Sequence, residues 1–139
     1  MAKITAKTSV LISLLLISLV GCNSLPKDKD PEVMYDLASR LKHLATAVDG
    51  LVKFGGGDKL SKDELLLAAV KNEPSKLQFL EGYTTKVNIE GNNTAILICR
   101  NETAVVEDAG CTAASDVQHW QASQPAACSF TLTLAQICQ

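Results

Sequence analysis

Residues 83–108 read YTTKVNIEGNNTAILICRNETAVVED, and the fold class turns on them. Tyr83, Thr85, Val87 and Ile89 alternate with Thr84, Lys86, Asn88 and Glu90. That period of two is the signature of a half-buried strand. Gly91-Asn92-Asn93 then supplies a turn. Thr94 to Cys99 is apolar on both faces, as a central strand requires. Asn101-Glu102 offers a second tight turn, and Ala104 to Asp108 a third strand. Three strands joined by short turns make an antiparallel meander.

Upstream the period changes from two to three and four. Met34, Leu37, Leu41, Leu44, Val48 and Leu51 mark one face of a helix, which Ala38, Ala45 and Val52 widen. A widened stripe predicts packing on the chain's own sheet rather than a coiled-coil seam. Asp30 can cap this helix, Pro31 suits its first turn, and Glu32 complements its dipole. Gly55-Gly56-Gly57 ends it, and lacks the Lys-Ser/Thr of a phosphate loop. Ser61 and Glu64 have the spacing of a capping box, so a second helix runs through Leu65 to Val70 and stops before Pro74. Ser75 to Glu81 allows a further helical turn.

Downstream, residues 109–127 predict a loop, with a helical turn between Ser115 and Gln118. Phe130, Leu132 and Leu134 alternate with Ser129, Thr131 and Thr133, which predicts a fourth strand starting at Cys128. The expected class is therefore α+β: two N-terminal helices packed on a small antiparallel sheet of about four strands. The helices are expected to cover the sheet face lined by Phe130, Leu132 and Leu134.

The first 22 residues stand apart. Lys3 and Lys7 precede a run from Val10 to Val20 that is apolar except for Ser13 and Ser18. Eleven residues are about half of a bilayer span, which needs roughly 20, but suit the core of an export signal. The run ends in Leu19-Val20-Gly21-Cys22. These residues resemble the lipobox of bacterial lipoproteins. The resemblance implies lipid on the Cys22 thiol, cleavage before Cys22, and an N-terminal lipid anchor. Two or three acyl chains give lasting attachment where one gives reversible binding. Asn23 replaces the Asp that resembles an inner-membrane retention signal in enteric-type lipoproteins, which implies the periplasmic side of the outer membrane. The resulting division is 1–21 signal peptide, 22–30 lipidated tether, and 31–139 single α+β domain. The eight residues 23–30 reach at most about 28 Å, so the domain would stay near its membrane.

Five cysteines then divide into one and four. Cys99, Cys111, Cys128 and Cys138 are an even set, and in an exported chain two disulfides follow. No CxxC occurs, so neither a thioredoxin-type pair nor a zinc ribbon is suggested. A straight strand would hold Cys128 and Cys138 about 33 Å apart, whereas a disulfide needs Cα atoms within about 7 Å. The favoured pairing is 111–128 with 99–138, and 99–128 with 111–138 stays open.

Charge narrows the function classes. The chain carries 13 basic and 15 acidic residues, net −2. Without Lys3 and Lys7 the balance is 11 against 15, net −4. This argues against nucleic acid, which favours a clustered basic face. Two histidines exclude a His-rich metal site; no metal or cofactor is expected. Beyond Arg100 there is no basic residue, while Glu102, Glu107, Asp108 and Asp116 are acidic. That end reads either as a solvated terminus or as a face for a basic partner.

His43 falls off the apolar stripe and reads as solvent-facing. Asp116 and His119 have the i, i+3 spacing that lets a carboxylate face an imidazole, but no serine stands in a nucleophile context such as G-x-S-x-G. No catalytic residue is therefore assigned. Trp120 either plugs the open sheet face or anchors a partner, since Trp is enriched in binding hot spots. Asp116, His119 and Trp120 form the candidate partner-binding group. The expected function is a non-catalytic binding or accessory lipoprotein of an envelope assembly, docking a protein partner. Its size and anchoring resemble secretin pilotins and outer-membrane-assembly lipoproteins, and its element order is similar to the small lipoprotein of the β-barrel assembly machine. The alternative is an immunity or inhibitor lipoprotein against a toxin or a cell-wall hydrolase.

Overall fold

The structure is a computed structural model that describes residues 30–114 and 119–139. Helix α1 spans Pro31–Phe54. The Asp30 carboxylate accepts from the Glu32 amide at 3.0 Å, and Gly55 closes the other end on the Leu51 carbonyl at 2.7 Å. Met34, Leu37, Leu41, Leu44 and Val48 are buried, with Ala38, Ala45 and Val52 beside them. A 3₁₀ turn, Gly57–Lys59, leads into α2, Lys62–Ala69. Ser61 and Glu64 cap α2 reciprocally. A second 3₁₀ segment, Pro74–Leu80, brings the chain to the sheet.

The sheet has three strands: β1 (Thr84–Glu90), β2 (Asn93–Arg100) and β3 (Thr103–Ala109). They pair antiparallel in sequence order. The loop residues explain both hairpins. Gly91 stands first in a two-residue connection with φ +61°, as a type II′ turn requires. Asn101 and Glu102 both have positive φ, +50° and +62°, which is the type I′ geometry. Ile98 pairs with Val106 and Cys99 with Ala104, so Val105 is an extra residue in β3. This bulge lets the adjacent Val105 and Val106 both join the core under the helices.

β2 is buried on both faces for a reason visible in its partners. Ile96 and Ile98 pack with α1 and α2. Ala95, Leu97 and Cys99 pack with the C-terminal segment, against Phe130, Leu134, Ala126 and Cys128. The chain is thus α+β with three layers: helices, sheet, and a C-terminal strap. Phe130, Leu132 and Leu134 line the strap side, not the helix side expected from the sequence.

The expected fourth strand is not formed among the described residues. Thr103 and Ala127 make one isolated bridge, and a short helix α3, Leu134–Ile137, follows. The cause is what Thr131 binds. Its amide donates to the Glu107 carboxylate at 3.0–3.1 Å, and its hydroxyl donates to the same group. A donor spent on a side chain cannot build a ladder. The expected helical turn of residues 115–118 lies outside the described residues, as does everything before Asp30.

The cysteine pairing also differs from the favoured one. Cys99 joins Cys128, and Cys111 joins Cys138, with Cα separations of 5.7 and 5.6 Å. Cys99 points to the strap face of β2, where Cys128 crosses, so it meets Cys128 before the chain reaches Cys138. Once residues 134–137 coil, Cys138 folds back to Cys111 at the end of β3.

Three buried carboxylates tie the layers together. Asp49 of α1 accepts from the Thr94 amide at 3.0 Å and from its hydroxyl at 3.3 Å, and pairs with Lys53 at 2.6 Å. Asp108 pairs with Lys42, whose ammonium also reaches the Ala109 and Thr112 carbonyls at 2.9 Å. Glu107 holds Thr131. Gly110, just after β3, permits a close approach to α1: a Cβ there would sit 2.9 Å from the Ala45 carbonyl carbon, and overlap the Ala45 oxygen and Asp49 Cβ.

Candidate functional site

Two sequence-predicted site residues come together at the open edge of the meander. A 3₁₀ turn, His119–Gln121, lies against β3. Trp120 of that turn packs edge-on to Tyr35 of α1, with ring centroids 5.4 Å apart at 86°. Such T-shaped pairs contribute about 0.5–1.5 kcal/mol beyond the area they bury. The Gln121 side-chain amide donates to the Tyr35 hydroxyl at 3.5 Å. The half-buried indole packs on the helix-side core and also walls a recess.

That recess encloses about 160 Å³. Thr103, Ala104 and Val105 form one side, and His119, Trp120 and Pro125 another. Arg100 and Gln124 complete the rim. Arg100 ends β2, and its guanidinium carbon stands 4.3 Å above the Tyr83 ring. This cation–π contact fixes the head at the recess. As site residues, Tyr83, Arg100 and Tyr35 escaped the sequence reading because Tyr83 and Arg100 lie at strand ends and Tyr35 lies off the apolar stripe of α1. The alternation that starts at Tyr83 was the one available signal.

His119 meets a carboxylate from across the fold, Glu107. Its Nε2 is 3.3 Å from Glu107 Oε1, a contact short of hydrogen-bond alignment. The two side chains are 7% and 0% exposed, so the pair is buried behind the wall that His119 gives the recess. Glu107 is already committed to Thr131. Asp116 lies outside the described residues, and so does Cys22, the residue expected to carry lipid. His43 is exposed on α1, as read from the sequence.

The acidic C-terminal end takes a different form from either sequence reading. Glu107 and Asp108 are fully buried. They are internal acceptors, not solvated charges and not part of a face for a basic partner. Glu102 remains at the surface. Among the described residues no group of His, Cys, Asp and Glu could hold a metal ion, and no helix is long and apolar enough to cross a membrane. No protein-family model, curated protein or solved structure matches the chain.

Proposed function

We propose that the chain is a lipid-anchored envelope protein that works by binding a protein partner, not by catalysis. In this reading Cys22 carries the lipid and holds the domain at the periplasmic side of the outer membrane. The recess beside Trp120 is the docking point. The observation that carries the binding reading is its wall chemistry. Trp120 and Arg100 line the recess, the first packed against Tyr35 and the second over the Tyr83 ring, and Trp, Tyr and Arg are the types that dominate binding hot spots. Two disulfides support an oxidising compartment, and leave Cys22 as the one cysteine outside them. An immunity or inhibitor role against a basic enzyme would use the acids beyond Arg100 as a face, and two of those four, Glu107 and Asp108, are interior.

Two experiments test the proposal. Cys22→Ser should leave the precursor uncut and without lipid; normal cleavage and release would end the anchoring claim. Crosslinked pull-downs from membranes should then compare wild type with Gln124→Arg, an exposed rim change that spares the core, and with Trp120→Ala. Partner lists identical across all three would end the docking claim.

A further inference from the structure

A second depression shares no residue with the Trp120 recess. It lies between α1, the end of α2 and the Pro74–Leu80 turn, and encloses about 310 Å³. Its floor is apolar: Leu44, Ala47, Ala69, Val70 and Phe79. Its rim is basic: Arg40, His43, Lys71 and Lys76. No carboxylate lines it. Asp36 and Glu73 pair with Arg40 and Lys76 at 2.8 and 3.0 Å, but as exposed contacts within four residues on the same segment. Such pairs are weak and leave their cations able to turn to another anion. Lys71 has no ion-pair partner among the described residues. It follows α2 with φ +56°, ahead of Asn72 at +60°. Left-handed positions of this kind usually fall to glycine, so a lysine here is held against backbone preference.

An apolar floor with cations at its rim suits a ligand with the inverse layout. The volume sits at the low end of small-molecule sites, roughly 300–1,000 Å³, which suits one acyl tail rather than a two-chain lipid. We propose that this groove binds a single-chain amphiphile with a carboxylate head, of the fatty-acid class. The tail lies on Leu44, Ala47, Val70 and Phe79, and the head meets Lys71, Lys76 and Arg40. This site is independent of the docking role of Trp120.

The test uses the full chain in the membranes of cells that express it. A diazirine-bearing dodecanoate is photolysed, and labelled peptides are mapped. Its dodecylammonium counterpart is the charge-inverted control. Dodecanoate should label the segments 40–47 and 69–79, and the cationic probe should label them at least tenfold less. Lys71→Glu with Lys76→Glu changes only exposed side chains; it should cut dodecanoate labelling about tenfold and raise labelling by the cation. Ala47→Phe, which fills the floor without changing charge, should block both probes. Equal labelling by the two probes would overturn the proposal, as would dodecanoate labelling unchanged in both variants. Labelling displaced by an acidic peptide but not by unlabelled dodecanoate would assign the groove to a peptide and also overturn it.

Discussion

Asp49→Ala should be among the most damaging single changes to this domain, and its cost can be worked from the contacts. One carboxylate oxygen accepts from the Thr94 amide at 3.0 Å and the Thr94 hydroxyl at 3.3 Å. The other meets Lys53 at 2.6 Å. Thr94 is fully buried, so water cannot replace the lost acceptor. The two Thr94 contacts share one oxygen and are counted together as one hydrogen bond to a charged group, about 1.5–3 kcal/mol. The partly exposed Lys53 pair adds about 0.3–0.5 kcal/mol. The loss is therefore about 2–3.5 kcal/mol. At about 4 °C per kcal/mol for a domain near 100 residues, the midpoint falls by roughly 8–14 °C. Asp49→Asn keeps an acceptor toward Thr94 and should cost less than half as much. Thermal unfolding by circular dichroism, with disulfides intact, gives the global number, and amide exchange of Thr94 gives the local one. If Asp49→Ala falls within 1 kcal/mol of wild type, or Asp49→Asn is equally harmful, the buried acceptor is not what joins α1 to β2.

Gly110→Ala drives a methyl into the α1 backbone at Ala45, and overpacking of this kind costs about 1–3 kcal/mol; chemical denaturation should show it without a change in m-value. Glu107→Ala should speed amide exchange at Thr131 and leave the β1–β2 ladder protected, because it frees the strap and alters no residue of that strand pair. Replacing Cys99 and Cys128 by serine should lower stability by about 3–4 kcal/mol on loop entropy for their separation of 29 residues, read from urea midpoints. The Ser61 hydroxyl and amide hold the Glu64 carboxyl below its ordinary value of 4.5. Stability from this contact is present above that value and lost as pH falls through the lowered one; the carboxyl carbon resonance of Glu64 should shift its titration upward in Ser61→Ala.

The parts that sequence made legible are those where local signals and burial agree. The stripe from Met34 to Val48, the Asp30 and Ser61 caps and the Gly91 and Asn101 turns each state their own structure, and tertiary packing follows them. The C-terminal strap was illegible because long-range bonds override its alternation. Residues 129–134 have the period of a strand, yet Cys128 is fixed to Cys99 and Thr131 to Glu107. Neither constraint leaves a trace in spacing. The same cause hid the site. Glu107 and Asp108 read as surface acids, and only their position inside an apolar strand hinted otherwise. His119 lies beside Glu107, a carboxylate from across the fold that spacing does not point to.

The two disulfides interleave: 99 with 128, and 111 with 138. This ordering bears on how the protein is made. A chain that emerges N-terminus first presents Cys99 and Cys111 before the other two. An oxidant that joins cysteines as they appear would close 99–111 and then 128–138, and neither bond is native. Maturation must therefore wait until the meander has set Cys99 and Cys111 apart, or undo early bonds by thiol–disulfide exchange, a process of seconds to hours that depends on an isomerase. The yield of this protein should thus follow the supply of disulfide isomerase more closely than the supply of oxidant.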